Sequence, residues 1–347
     1  MTQALQDDAT ISVIIPTYNR ARDLPRAVAS VLQQTLPASE ILIVDDGSTD
    51  GTEQVAARLD GPIRYLRQEN KGVSVARNRA MELADGSLLA FLDTDDRWNP
   101  RKLEIQVGAM VRNPEAGWSA TNLVVVDPAG ERLEGAPGLE RAVPVFGDVG
   151  MSPPEWFASR LAPSRYEVHA APVYVGDAFG LLLNGNFVFP STLVLQRSLM
   201  KEVGLFDPEL RHAQDNEYAL RLAAASDTLL VDLPLTEYRQ GASDQLTNPA
   251  HTADLTREAL RSLDRALGLR DPFSKYEQRS YDSGRRRVLL RQAYDYITNL
   301  DPAGARRTLG QLEGGDQRLG LRGSAILAAS LLPVPVLKFL GVLKRRM

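Results

Sequence analysis

Apolar residues recur along this chain with two periods, and the two alternate. Ile11-Ser-Val-Ile-Ile15 is a short β-branched run stopped by Pro16, which predicts a buried strand. Residues 23–34 place Leu24, Ala27, Val28, Val31 and Leu32 at helical spacing. A second buried strand is expected at 41–44, then a helix at 49–59 that Asp50 would cap. A strand at 63–66, a helix at 72–83 and a strand at 88–92 follow. Strand–helix alternation at this spacing implies βαβ units and a parallel sheet.

The pattern then loosens. A strand is expected at 118–126, and residues 127–185 read as irregular and rich in Pro and Gly. A long segment of that kind inside a compact domain is usually functional. Order resumes with a strand at 186–195, helices at 197–203 and 214–225, and a strand at 229–233. From about 250 onward the pattern is helical, at 255–267, 276–300 and 302–312.

Composition changes this picture in one respect. The 347 residues are 44% hydrophobic and 24% charged, the profile of an ordinary folded chain. The net charge of −4 hides an asymmetry. Residues 250–347 hold 18 Lys and Arg against 10 Asp and Glu, whereas residues 1–249 hold 22 against 34. A basic tail on an acidic body suggests two jobs in one chain, divided at 1–249 and 250–347. There is no Cys, so disulfides, thiolate zinc sites and a cysteine nucleophile are excluded. Three His (His169, His212, His251) make a His-rich metal site improbable.

The polar N-terminus lacks the basic start and apolar run of a signal peptide. No stretch offers the ~20 uninterrupted apolar residues of a membrane span. In the tail, Ala325-Ile-Leu-Ala-Ala-Ser-Leu-Leu332 is interrupted by Pro333 and Pro335 and followed by Lys344-Arg-Arg346. An apolar face beside a basic end suits an anionic membrane surface, to which Arg285-Arg-Arg287 would add. The other reading is a helix packed on the catalytic domain or in a homodimer. A nucleic-acid partner is not expected, because the tail has no interleaved aromatics and no reader motif.

Two predicted strands end in acidic clusters, Asp45-Asp46-Gly47-Ser48-Thr49-Asp50 and Asp93-Thr94-Asp95-Asp96. Ligands of open α/β sheets bind at the carboxyl ends of parallel strands. Closely spaced carboxylates there repel one another unless a cation or donors are near, and they suit Mg²⁺ or Mn²⁺. Turn and cap chemistry would also explain either cluster taken alone. The sequence has neither G-x-x-x-x-G-K-[ST] nor a G-x-G-x-x-G after the first strand. Phosphate binding would therefore fall to metal and basic side chains, with Arg77 a candidate.

Four segments in this order resemble family 2 glycosyltransferases of the GT-A fold. They are Ser12-Val-Ile-Ile-Pro-Thr-Tyr-Asn19, Ile43-Val-Asp-Asp-Gly-Ser-Thr-Asp50, residues 72–78 and Phe91-Leu-Asp-Thr-Asp-Asp96. Phe189-Pro-Ser-Thr-Leu-Val-Leu-Gln-Arg197, Val203-Gly-Leu-Phe-Asp207 and Gln214-Asp-Asn-Glu-Tyr-Ala-Leu-Arg221 resemble the family's acceptor half. The resemblance covers roughly 10–240 and not the tail. It implies an α/β, Rossmann-like, mixed and mostly parallel sheet flanked by helices, with a helical C-terminal extension. The nucleotide-sugar half would be about 10–125 and the acceptor half 126–249.

The resemblance also implies roles. Pro16 and Tyr18 would line the base pocket and Asp46 would read the base. Asp93, Thr94 and Asp95 form the family's DXD motif, at ribose and diphosphate. Asp95 or Asp96 would hold Mn²⁺ or Mg²⁺. Arg77 would sit near the diphosphate, and Asp215 would be the general base. The expected activity is inverting transfer of a single sugar from a UDP- or dTDP-linked donor to a polysaccharide, lipid-linked or protein acceptor. The expected place is the cytoplasm, at the cytoplasmic face of a membrane.

Three departures qualify this. Gln214 stands where relatives have Glu, the stretch Tyr238-Arg-Gln-Gly-Ala-Ser243 contains no His, and no Gln-x-x-Arg-Trp follows Asp215. None of Trp98, Trp118 and Trp156 lies in that last region, which points to single-sugar rather than processive transfer. The rival classes are a non-catalytic nucleotide-sugar-binding scaffold and a sugar nucleotidyltransferase. The latter normally has a Gly-rich basic loop after the first strand, and Pro16-Thr-Tyr-Asn-Arg20 has no Gly.

Overall fold

A computed structural model describes residues 9–133, 138–143, 150–164, 172–241, 252–312 and 320–337. The chain forms two compact units, Met1–Gln245 and Leu246–Met347.

The first unit is built on one mixed sheet. Its strands among the described residues are β1 (Ile11–Thr17), β2 (Glu40–Asp45), β3 (Ile63–Arg67), β4 (Leu88–Phe91), β5 (Arg97–Trp98), β6 (Ala116–Val126), β7 (Ala162–Pro163), β8 (Val173–Gly176), β9 (Val194–Gln196) and β10 (Asp227–Arg239). Their order is β3-β2-β1-β4-β9-β6-β10-β8-β7, with β5 paired to β10. The long ladders, β1–β2, β2–β3, β1–β4 and β6–β10, are parallel. The short β9 runs antiparallel between β4 and β6. This is the expected α/β, mostly parallel sheet, with helices Leu24–Leu32, Val73–Leu83 and Lys102–Arg112 against it. Ile11, Val13, Ile15, Ile41, Ile43, Val107 and Met110 close a dry core there, and fully burying each such side chain contributes about 1.5–3 kcal/mol.

Several boundaries differ from the sequence reading, each for a local reason. Pro16 does not stop β1, which continues to Thr17. Ile14 accepts from the Leu92 N–H on the β4 side, and Pro16 shares its parity. The missing N–H of Pro16 thus faces the side where the β4 ladder has already ended at Phe91. β10 runs through Pro234 instead of ending before it, and register shifts on either side of Pro234 absorb the lost donor. The strand expected at 186–195 is mostly not a strand. Pro190–Thr192 forms a 3-10 turn and only Val194–Gln196 pairs. The helix is Thr52–Ala56 rather than 49–59, and Asp50 lies two residues before it. Its carboxylate accepts the helix's first N–H, from Thr52, at 3.1 Å, together with the Thr52 hydroxyl at 2.5 Å and the Ala21 N–H at 3.0 Å.

The described residues within 127–185 hold more regular structure than their composition suggests. Helices Pro153–Ala158 and Phe179–Asn184 bury Trp156, Phe157 and Phe179. Trp156 meets Phe187 edge-on with ring centres 5.5 Å apart.

The second unit contains helices Thr252–Ala266, Lys275–Thr298, Pro302–Gly310 and Gly320–Ser330. Leu289, Ala293, Ala305, Leu309 and Ile326 form its core. Ser274 and Glu277 make a reciprocal capping box that starts the long helix. No helix among the described residues is long and apolar enough to cross a membrane.

Candidate active site

The carboxyl ends of β1, β2 and β4 lie side by side, so both acidic clusters come to one edge of the sheet. The loop after β1 is tied to the loop after β2. Asn19 donates its N–H to Ser48 Oγ at 2.8 Å and accepts the Thr49 N–H at 2.8 Å. Pro16 is buried between them and accepts the Thr94 hydroxyl at 2.6 Å, while Tyr18 remains 47% exposed.

The first cluster resolves into two tasks. Asp45 is buried and accepts the Ser48 N–H at 2.8 Å and the Tyr65 hydroxyl at 2.5 Å. Burial and this carboxylate push the Tyr65 phenol up. Asp46 accepts from Gln68 Nε2 at 2.8 Å, the Lys71 N–H at 2.9 Å and the Gly72 N–H at 2.8 Å. It therefore shapes the 68–72 loop and still keeps one of a carboxylate's roughly four acceptor positions. Gly47 has φ +84, and a side chain there would stand 2.9 Å from the Asn70 nitrogen, so the turn requires glycine.

The second cluster is organised by Ser191, which lies in the recognisable segment 189–197 but had no role there. Its Oγ accepts the Asp93 N–H at 3.0 Å and donates to Asp96 Oδ2 at 2.5 Å. Its carbonyl accepts from Trp98 Nε1 and from Thr236. Asp96 also accepts the Arg239 N–H at 3.0 Å. Burial raises the Asp96 carboxyl well above the usual carboxylate range, and Asp95 and Asp93 add to it. Asp95 is half-buried on the same turn. Among the described residues, no group of three or more His, Asp or Glu gathers to hold a metal ion.

Arg77 joins this turn to Phe206. It is 2% exposed and donates from Nη2 to Asp93 Oδ1 at 2.5 Å. Its guanidinium carbon lies 5.4 Å from the ring centre of Phe206. Its Nε and Nη1 are buried without a hydrogen-bond partner. Phe206 stacks on Tyr218 at 4.1 Å and is held to helix Val73–Leu83 by two hydrogen bonds between its backbone and Asn78. Those bonds explain why 72–78 and 203–207 both carry recognisable residues.

Asp215 lies at the start of helix Gln214–Ala225 and keeps partial access to solvent. Asn186 donates Nδ2 to its Oδ2 at 3.1 Å, and the Asn216 N–H reaches Oδ1 at 2.8 Å. Burial pushes its carboxyl up to about 6, against the pull of the Asn216 N–H and of Arg77 and with a small push from Asp93. The fields of Arg77 and Asp93 reach Asp215, so the structure brings these three predicted residues into one electrostatic neighbourhood. Asn186 went unrecognised because it lies in a stretch that reads as strand.

Residues 12–132 match Glycosyl transferase family 2. Over 109 residues the chain is 41% identical to the UDP-Glc:alpha-D-GlcNAc-diphosphoundecaprenol beta-1,3-glucosyltransferase WfgD of Escherichia coli, covering 31% of this chain and 43% of that protein. Over 106 residues it is 46% identical to the putative teichuronic acid biosynthesis glycosyltransferase TuaG of Bacillus subtilis, covering 29% and 42%. The chain thus spans less than half the length of these two relatives. Among solved structures, a mannosyltransferase from Pyrobaculum calidifontis in complex with GDP-Man and Mn²⁺ superposes with TM-score 0.58 at 16% identity, over 96% of this chain and 83% of that one. Staphylococcus aureus TarS 1-349 in complex with UDP-GlcNAc gives 0.52 at 18% identity, over 86% and 88%. The sequence segment is that of family 2 glycosyltransferases, and the fold is GT-A.

Proposed function

We propose that this chain is an inverting, metal-dependent glycosyltransferase that moves one hexose from a UDP- or dTDP-linked donor to a glycan, lipid-linked or protein acceptor. The observation that carries the reading is the convergence of Arg77, Asp93 and Asp215 at the sheet edge, with two buried guanidinium nitrogens unpartnered. Those nitrogens suit the oxygens of a nucleoside diphosphate. Asp215 takes the proton of the acceptor hydroxyl as its oxygen attacks the anomeric carbon. The bond from that carbon to the diphosphate breaks, its electron pair leaves with the diphosphate, and attack from the opposite face inverts the centre.

Asp95 is the residue of the acidic turn better placed to reach a divalent ion, because it is half-buried whereas Asp96 is 3% exposed. One carboxylate plus substrate phosphates is a common set for Mg²⁺, so the donor chemistry fits. When bound, the ion neutralises charge growing on the leaving group. Pro16 and Tyr18 flank the base, and Asp46 offers its remaining acceptor position to a base N–H. The diphosphoundecaprenol in the E. coli relative's name favours a lipid-linked acceptor for this chain too. The test is a thermal-shift series with UDP, dTDP and GDP, each with Mn²⁺. One of them should stabilise the protein by about 2.7 kcal/mol at a hundred times its Kd. No response to any of the three would overturn the reading.

The second unit we assign to peripheral contact with an anionic membrane. Leu331 is 69% exposed, and Val334 and Val336 are exposed beside it. Arg285 lies on the same unit, 3.7 Å from Asp264. Lys338 and Lys344-Arg-Arg346 lie outside the described residues. Full-length protein should float with anionic liposomes and not with neutral ones, and Leu331→Glu with Val336→Glu should abolish flotation. Equal recovery of wild type and variant would remove this assignment.

A further inference from the structure

We propose that the first unit carries a second binding site, for an anionic sugar unit of an acceptor glycan, in a cavity of about 310 Å³ lined by helix Leu24–Leu32, β5 and β10. Three guanidinium groups line it, from Arg26, Arg97 and Arg132, and Glu237 is its one acidic wall residue among those described. Glu237 is already paired with Arg97 at 3.4 Å. Among the described residues, no carboxylate pairs with Arg26 or Arg132. Gln33 and Asn99 add neutral hydrogen-bonding groups to the wall. A side chain at Gly130, where φ is +92, would approach Arg26 Nη2 to 3.3 Å, so glycine leaves room for that guanidinium.

The placement is selective because the surrounding body is acidic, with 34 Asp and Glu against 22 Lys and Arg in residues 1–249. Against this net negative charge, three guanidinium groups gather in one concavity, where low-dielectric walls concentrate their field on an anion. A guanidinium fork matches phosphate or carboxylate oxygens in two-point contacts. The volume is at the lower end of the range of small-ligand pockets, roughly 300–1,000 Å³, which fits one or two sugar units rather than a bare ion. The cavity also borders the chemistry. A neighbouring recess shares Arg26, Arg97 and Glu237 with it and is lined by Thr94, Asp95 and Asp96. A glycan seated on the arginines therefore lies beside the acidic turn. That its ligand is an acceptor rests on the transferase reading; the anion site itself does not.

The test is calorimetric titration of the full chain with three oligomers: an oligoglucuronate, a glycerol phosphate oligomer and a neutral maltooligosaccharide. UDP with Mn²⁺ is titrated in parallel. One of the two anionic oligomers should bind and the neutral one should not, and which one binds identifies the anion as carboxylate or phosphate. Arg26→Gln with Arg132→Gln should weaken binding at least about tenfold, the scale of losing charge-assisted hydrogen bonds. Arg58→Gln with Lys201→Gln removes two exposed cations outside the cavity and should leave affinity within about twofold. UDP affinity should be the same in all three proteins. Absence of anionic binding, equal binding of the neutral oligomer, or equal loss in both double variants would overturn the site. Loss of UDP binding in the wild type would instead overturn the transferase reading and leave the oligomer result standing by itself.

Discussion

Asp215→Asn should bind the donor with unchanged affinity and transfer sugar at least ~10²-fold more slowly, the scale of lost general-base catalysis. The substitution keeps the shape of the side chain and one carbonyl oxygen for the Asn186 amide, so the site stays assembled. What disappears is a group able to accept a proton near neutral pH. Burial holds this carboxyl up to about 6, so it is protonated below that pH and inactive as a base. Wild-type kcat should therefore rise with pH, pass half its maximum near 6 and level off above it. The residual rate of the variant should lack that acid limb. Rates measured between about pH 5 and 8, with donor affinity measured in parallel, decide the matter. Unchanged transfer would reject Asp215 as the base, whereas donor binding with no transfer by the wild type would make the site that of a non-catalytic sugar-nucleotide binder. An acid limb of the same position in the variant would assign the titration to another group.

The fold was legible from periodicity wherever one principle governed a segment. β1, β2, β3 and β4 are buried runs between amphipathic helices, and their boundaries moved by only a residue or two. The reading failed where a proline competed with the sheet. Pro16 reads as a stop and the strand at 229–233 ends just before Pro234, but one proline lies past a ladder's end and the other between register shifts. Whether a proline ends a strand depends on which neighbour its missing N–H would have faced, and that is tertiary information. The site divides in the same way. Asp93, Asp95, Asp96 and Asp215 were visible as carboxylates at element ends. The roles of Ser191, Asn186 and Phe206 were not, although Ser191 and Phe206 lie in recognisable segments, because each acts through contacts 29 to 128 residues away along the chain. Sequence also left Asp95 and Asp96 equivalent. Burial distinguishes them, with Asp96 3% exposed and Asp95 half-buried. Lys102 gave no signal at all. It is fully buried, with its amine 2.7 Å from Gln106 Oε1 and over the Trp98 ring, and burial pushes it down to about 7.

Arg77→Met should weaken nucleoside diphosphate binding by about ten- to a hundredfold, the value of one charged hydrogen bond at roughly 1.5–3 kcal/mol. A buried guanidinium with two nitrogens lacking partners is costly to the free protein. The proposed diphosphate oxygens would recover that cost, and the Met and Lys variants test whether they do. Met preserves volume against Phe206 and removes both the charge and the donors. Breaking a fully buried pair costs about 3–5 kcal/mol, because the remaining charge is stranded. Here the remaining partner, Asp93, is 30% exposed and can be solvated, so the ligand-free variant should lose less stability than that. Arg77→Lys restores the charge without the planar fork and should recover affinity only in part. Titration of UDP with Mn²⁺ and a melting curve of the ligand-free protein separate the possibilities. Unchanged affinity with a large fall in melting temperature would make Arg77 a structural pair for Asp93. A loss of affinity with melting nearly preserved would place its unpartnered nitrogens on the diphosphate.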